Sequence, residues 1–128
     1  MTNTLTPNTL GWFEVATDDP DAATSFYGGL FGWTFAPLAE PETSGMDYRV
    51  VALPGLDAPF GGVMATGGQM PPHAIFYVVV SDVAATCDAA ERLGGKVVAK
   101  ELEPAVGPRF AYLQDAVGSL FGVFAPAP

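Results

Sequence analysis

The stretch WFEVATDDPDAATSFYGGLFGWTF, residues 12–35, predicts a strand, a tight turn, a helix and a second strand, in that order. The stretch IFYVVVSDVAATCDAAERLGGKVV, residues 75–98, matches it after a shift of 63 positions. Identical residues fall where a helix begins, packs and ends: Asp19 with Asp82, Leu30 with Leu93, and Gly32 with Gly95. We therefore predict two copies of one supersecondary unit, because self-similarity at a fixed spacing indicates a duplicated structure.

Further predicted strands complete each copy in the order βαβββ. The eight strands are expected at about 10–17, 33–37, 47–53, 60–66, 73–80, 96–102, 109–115 and 119–125. The predicted fold class is α+β, in one domain over residues 1–128. Module one is expected at about 9–66 and module two at about 73–126, joined by the Gly/Pro-rich linker GGQMPP at 67–72.

The alternation of side chains predicts what the strands present to a ligand. Along the first strand, Trp12 and Glu14 share one face, and Phe13 and Val15 share the other. One helix covers one sheet face of each βαβββ unit and leaves the other face open. Two such units side by side are expected to form a half-barrel trough, and a concave apolar trough is where a small ligand binds.

Composition and charge exclude several classes of function. A chain of 128 residues suits one domain, and its net charge of −9 disfavours nucleic acid and anionic membranes as partners. No apolar run approaches the roughly 20 residues of a membrane span. Cys87 is the single cysteine and no secretion signal is evident, so a cytoplasmic location is expected. Charged residues make up only 15%, which favours self-association as a homodimer.

Three segments carry a resemblance to a known family. They are WFEVATDDPDAATSFYGGLFGW, PPHAIFYVVVSDV and FAYLQDAVGSLFGVF. They resemble the vicinal oxygen chelate superfamily of glyoxalases, bleomycin-resistance proteins, fosfomycin-resistance enzymes and extradiol dioxygenases, and the closest similarity is to its glyoxalase-like subgroup. The resemblance covers roughly residues 10–125. It implies the paired-module fold and, because members with two short modules commonly dimerise, a homodimer.

The same resemblance identifies where a metal would be held. Metal-dependent members place His or Gln in the first strand, His in the fifth and Glu in the eighth, and these positions fall on Trp12, Ile75 and Gly122. None of these residues can ligate a metal, so no cofactor is expected. A divalent metal would need an atypical or dimer-shared site, to which Glu14 and His73, the single histidine, could contribute.

Glu14 is the candidate catalytic residue. A carboxylate on an apolar strand is costly to bury unless it is paired or hydrogen-bonded. It could therefore face the trough as an acid/base or a ligand-binding group. The alternatives are a structural ion pair with Arg49 or Arg109, or simple exposure to solvent.

Aromatic side chains are the candidate ligand-binding residues, because they could stack on a flat ligand: Trp12, Phe60, Tyr77, Tyr112 and Phe124. Ordinary packing in the sheet core is the alternative for each of them. Arg109 could hold an anionic group of the ligand, or could lie on the surface.

Three functions remain open on these residues. The first is a metal-free small-molecule-binding protein of the glyoxalase/bleomycin-resistance type, with a small apolar or aromatic ligand. The alternative is a lyase, isomerase or dioxygenase-like enzyme that uses Glu14 as acid/base or an atypical metal site. A structural role is favoured only if the chain's own side chains fill the trough.

Overall fold

The computed structural model describes residues 6–37, 47–68, 70–104 and 108–126. The chain divides into two compact units, of which one consists of Trp12–Ala74 and the other of Ile75–Pro128 together with the N-terminal segment that ends at Gly11. The described elements are β1 (Leu10–Thr17), α1 (Pro20–Phe31), β2 (Thr34–Pro37), β3 (Tyr48–Ala52), β4 (Gly61–Ala65), β5 (His73–Val79), α2 (Val83–Arg92), β6 (Lys96–Glu101), β7 (Arg109–Gln114) and β8 (Leu120–Ala125). This element order confirms the predicted α+β class and the duplicated βαβββ unit.

The strands of the first module are hydrogen-bonded in the order β2-β3-β4-β1. β1 runs parallel to β4, with Phe13 opposite Gly61 and Glu14 opposite Gly62. β4 and β3 are antiparallel, as are β3 and β2. The register therefore places glycine beside two consecutive residues of β1, one on each face of the sheet.

Helix α1 begins and ends where the sequence indicates. The side chain of Asp19 accepts a hydrogen bond from the backbone N–H of Ala22 at 3.0 Å, and Pro20 occupies the first turn, where its missing N–H is not needed. The helix ends at Gly32, whose φ of 75° lies in the left-handed region that favours glycine. These caps fix the length of α1 and return the chain to β2.

The second module repeats this topology, with the strand order β5-β8-β7-β6. β5 is parallel to β8, with Tyr77 opposite Gly122, and Gly122 in turn lies opposite Tyr112 of antiparallel β7. A core of buried side chains joins α2 to one face of these strands: Val80, Val83, Cys87, Ala111, Leu113, Val123 and Ala125. Because alternate residues point to opposite faces, Tyr77, Tyr112 and Phe124 lie on the face away from α2.

Most element bounds agree with the predicted ones within two residues. Gln69 of the expected linker lies outside the described residues. The assignment of residues 1–128 to one domain stays a prediction. Neither of the helices described has the length and apolar character that a membrane crossing requires.

Candidate functional site

Side-chain contacts in the first module separate a helix-covered face from an open face. The ring of Phe13 lies 5.6 Å from that of Trp33, which in turn stacks on Tyr27 of α1 at 5.6 Å. Phe13 therefore points to the helix side. Since neighbouring residues of a strand alternate, Trp12 and Glu14 occupy the opposite, open face, as the sequence predicts.

A chain of two hydrogen bonds joins three side chains on this open face. The indole Nε1–H of Trp12 donates to Oη of Tyr48 at 3.0 Å. The hydroxyl of Tyr48 donates to Oε1 of Glu14, also at 3.0 Å. Glu14 is only 3% exposed, whereas Trp12 and Tyr48 are half-buried. The carboxylate is thus buried and hydrogen-bonded to Tyr48, and simple exposure of Glu14 is wrong.

Gly62 makes room for this arrangement. Tyr48 lies on β3, and its ring crosses over β4 at the position of Gly62, the residue paired with Glu14. A Cβ at position 62 would collide with the Tyr48 ring. A glycine inside a strand commonly marks such a close approach. The reach of Tyr48 from β3 to β1 therefore depends on this one missing side chain.

Arg49, a candidate ion-pair partner of Glu14, is engaged elsewhere in the first module. Its guanidinium contacts the carboxylates of Asp21 and Asp47, each at 2.9 Å, and a second hydrogen bond at 2.9 Å makes the contact with Asp47 a two-pronged one. The hydrogen bonds that Arg49 donates to these two carboxylates raise the pKa of Arg49, and the bond to Asp47 lowers the pKa of that carboxyl. Arg49 thus ties β3 to the first turn of α1.

The open face of the second module is aromatic. The ring of Tyr77 meets Tyr112 edge-on at 5.9 Å and Phe124 at 6.2 Å, and Phe110 meets Tyr112 at 5.8 Å. Tyr77 is buried, whereas Tyr112 and Phe124 are half-buried. Gly122 lies between the two tyrosines in the strand register, and a Cβ there would collide with the Tyr77 ring. Three of the predicted ligand-binding residues are therefore neighbours.

Two other predicted residues lie apart from these groups. The ring of Phe60 lies 6.3 Å from that of Phe13, which is a contact with the helix-side residue of β1. Arg109 is exposed, and its Nε donates to the backbone carbonyl of Leu102 at 2.9 Å. A ligand-binding role for either residue stays a prediction.

Sequence reasoning missed Tyr48 and Phe110. The glycine pair at 61–62 was the available signal for Tyr48, because a strand that lacks side chains admits a large neighbour. Phe110 could have been found by alternation along β7, since it is two residues before Tyr112 and shares its face.

The three positions that the resemblance assigns to metal ligands carry no side-chain atom that could ligate a metal. The indole of Trp12 has no lone pair to offer and already donates its proton to Tyr48. The side chain of Ile75 is buried and consists only of hydrocarbon, so it has no atom that could ligate a metal. A larger side chain at Gly122 would require Tyr77 to move. His73, the single histidine, contacts the carbonyl of Pro71 at 3.0 Å through Nδ1.

An open groove of about 570 Å³ lies at the N-terminal end of α1, within the compact unit Trp12–Ala74. Its lining includes Val15, Phe26, Tyr27 and His73, and none of the predicted catalytic or ligand-binding residues. In the described part of the chain, no group of three or more His, Cys, Asp or Glu side chains could hold a metal ion. The groove is therefore separate from the chain of hydrogen bonds on the open face.

The chain is similar to curated proteins that are about twice its length. The chain is 40% identical over 122 residues to the Mycobacterium tuberculosis protein named "Putative glyoxylase CFP32", an alignment that covers 94% of this chain and 45% of that protein. It is 28% identical over 129 residues to the "Anthracycline biosynthesis protein DnrV" of Streptomyces peucetius, covering 92% of this chain and 47% of the relative. The chain thus spans less than half the length of these two curated relatives.

Solved structures and a family model agree on the fold. Methylmalonyl-CoA epimerase from Mycobacterium tuberculosis matches with a TM-score of 0.66 at 22% identity, covering 100% of this chain and 94% of that chain. The Streptomyces coelicolor epimerase matches with a TM-score of 0.68 at 16% identity, covering 96% and 100%. Residues 9–123 match the family model. With its duplicated βαβββ unit, the chain belongs to the Glyoxalase/Bleomycin resistance protein/Dioxygenase superfamily.

Proposed function

We propose that this chain is a small-molecule-binding protein that holds an apolar or aromatic ligand on the open face of its first module. One observation carries the proposal: Trp12 and Tyr48 are half-buried aromatic side chains joined by a hydrogen bond, and Tyr48 also donates to the buried Glu14. Flat ligands stack on such rings, and an aromatic pair contributes about 0.5–1.5 kcal/mol beyond the area that it buries. The rings need little reordering to bind, which favours affinity.

Burial of Glu14 favours binding over proton transfer. A general base must come within hydrogen-bond reach of the proton that it removes. At 3% exposure, and with Oε1 already accepting from Tyr48, the carboxylate meets a ligand only after a side chain moves. The half-buried rings of Trp12 and Tyr48 are accessible without such a movement. The first contact of a ligand is therefore with the rings.

A relative guides the choice of ligand class. DnrV is named as an anthracycline biosynthesis protein, and anthracyclines contain flat, fused aromatic rings. We propose flat polycyclic aromatics as the class to test first. The second module has an aromatic face of its own, in which Tyr112 and Phe124 are half-buried. Both faces therefore suit ligands of the same chemistry.

A titration with matched variants tests this proposal. An anthracyclinone is titrated into the protein by calorimetry, with a saturated polycyclic compound of similar size as the comparison ligand. Trp12→Leu is expected to weaken binding about tenfold, as for the loss of roughly 1.4 kcal/mol of stacking, and Trp12→Phe by less. Leu93→Ser, on the 81% exposed side chain that follows α2, is the control and should leave affinity unchanged. Equal binding by Trp12→Leu and the wild type would overturn the proposal.

An acid/base enzyme that uses Glu14 is the second candidate, because a buried carboxylate held as an acceptor could take a proton once a ligand displaces a ring. Deuterium exchange at carbon atoms next to a carbonyl is the assay, on small ketones and thioesters in deuterated buffer. Glu14→Gln should stop exchange that the wild type catalyses. Exchange that survives in Glu14→Gln excludes this candidate and leaves the binding proposal standing.

We propose a homodimer in the cytoplasm, without a metal cofactor, nucleic acid or membrane. Elemental analysis of protein purified without chelators is expected to find less than one transition-metal ion per ten chains. A stoichiometric metal would contradict the metal-free proposal, which is based on the lack of ligand atoms at Trp12, Ile75 and Gly122.

A further inference from the structure

We propose that Tyr48 is a positioning residue, which couples the carboxylate of Glu14 to the ligand-facing indole of Trp12 through hydrogen bonds of fixed direction. The inference deepens the proposed function and rests on it, because it assigns the placing of the ligand-contacting ring to a residue on another strand. The three side chains come from β1 and β3 of the first module and are joined by contacts of 3.0 Å. Sequence alternation alone does not bring them together.

Elementary chemistry fixes the direction of both hydrogen bonds. An indole Nε1–H can only donate, so the oxygen of Tyr48 must accept at that contact. A tyrosine hydroxyl has a single proton, which is then directed to Glu14. Oε1 of Glu14 must be an acceptor. No group in these two hydrogen bonds can exchange its donor or acceptor role without breaking a bond. A change at Glu14 should therefore alter the hydrogen bond that Trp12 donates to Tyr48.

Packing places the ring of Tyr48 directly against β4. Its ring occupies the space over Gly62, where even one methyl group would collide with it. The ring is thus fixed by the backbone of β4, and its hydroxyl is fixed between Trp12 and Glu14. A side chain held at both its ring and its hydroxyl transmits a change in one partner to the other. In a loosely held tyrosine, the ring would rotate and absorb the change.

The chain contains its own control for measuring this coupling. Its two tryptophans, Trp12 and Trp33, give two indole Nε1–H signals in an NMR spectrum of the ¹⁵N-labelled protein. Trp33 lies among the rings of Phe13, Tyr27 and Phe31, on the helix side of the module. Only the Trp12 signal should respond to changes in the hydrogen-bond chain.

The experiment is a double-variant cycle on the whole chain without any ligand. Tyr48→Phe should move the Trp12 indole proton upfield and speed its exchange with solvent about tenfold, as for the loss of one hydrogen bond. Glu14→Gln, which keeps an acceptor without the charge, should move the same signal by less. In the Tyr48→Phe background, Glu14→Gln should no longer move it. Tyr27→Phe removes a hydroxyl from α1 and should leave the Trp12 signal unchanged.

Two results would overturn the inference. One is a Trp12 signal that does not move in Glu14→Gln. The other is an equal response to Glu14→Gln with and without the Tyr48 hydroxyl, which would show that the effect bypasses Tyr48. Should Tyr48→Phe fail to fold, Glu14→Gln alone still decides through the first criterion. Because no ligand is present, failure here leaves the binding proposal untouched, and failure of the ligand titration leaves the coupling intact.

Discussion

The two modules fill the space beside an equivalent strand glycine with different side chains. Glu14 and Tyr77 occupy equivalent positions of the duplicated unit, and each lies opposite a glycine, Gly62 or Gly122. In the second module, Tyr77 covers its own glycine and meets aromatic neighbours. In the first module, the glycine is covered by the ring of Tyr48 instead of by Glu14. The Tyr48 hydroxyl donates a hydrogen bond to the Glu14 carboxylate. Both modules therefore have a glycine at this position, and the buried carboxylate belongs to the first.

The helices differ as much as the strands. α2 buries Val83 and Cys87 against its sheet, whereas α1 has no buried residue. Phe26, Leu30 and Phe31 of α1 are each more than half exposed. The two helices share one sequence pattern, but only α1 leaves large apolar side chains exposed to solvent. We therefore expect this face of α1 to contact a partner.

The glycine gaps should give the largest effects. Gly62→Ala and Gly122→Ala are each expected to lower the free energy of unfolding by about 2–3 kcal/mol, because the new Cβ collides with a tyrosine ring. Gly29→Ala, in α1 with open space around it, should be neutral or stabilising by up to about 1 kcal/mol. Urea denaturation measures all three. If Gly62→Ala were as stable as the wild type, Tyr48 would not be confined over that residue.

The helix comparison gives the next effect in size. Cys87→Ser places a hydroxyl in the apolar core under α2 and should cost about 1–3 kcal/mol. Burial raises the pKa of the Cys87 thiol, so thiol reagents should also react slowly with the native protein. Phe26→Ser on α1 should change the unfolding free energy of an isolated chain by no more than about 0.5 kcal/mol. Equal destabilisation by both substitutions would remove the contrast between the helices.

Alternation and repeat spacing predicted the fold and the composition of each sheet face. Trp12 and Glu14 share the open face because side chains alternate along any strand, and this holds without knowledge of neighbouring strands. Tyr48 could not be placed in the same way. Its contact with Glu14 crosses an intervening strand and depends on the register that puts Gly62 beside Glu14. Residues 38–46, which precede β3 and lie outside the described residues, carry no pattern that fixes that register.

The exposed face of α1 offers a test of the expected homodimer. Sedimentation velocity should show the wild type as a dimer and the double variant Phe26→Ser/Leu30→Ser as a monomer, because two apolar side chains that could be buried at an interface are lost. Leu93→Ser, just after the end of α2, is the matched control and should remain dimeric. A monomeric wild type would contradict the homodimer, and a dimeric double variant would place its interface elsewhere.

The smallest expected change in stability concerns two acidic side chains, whose pKa values are lowered for different reasons. In the first module, the hydrogen bond from Arg49 lowers the pKa of Asp47 below its usual 3.8. In the second, backbone N–H groups of Ser119 and Val117 lower the pKa of Asp115. A carboxyl with a lower pKa in the folded state stabilises the fold at pH values above its unfolded pKa, and this contribution is lost as the pH falls through the folded value.

Salt should separate the two carboxylates. Asp47 is 44% exposed and its contribution is screened, so Asp47→Asn should lower stability at pH 7 by less than about 1 kcal/mol, and less still in 1 M salt. Asp115→Asn keeps one side-chain oxygen that can accept the two backbone hydrogen bonds of the turn, so salt should alter its effect less. Urea denaturation at pH 7 and pH 3 measures both variants, and each difference from the wild type should shrink at pH 3. A larger salt dependence for Asp115→Asn would show that charge, rather than turn geometry, dominates in the second module.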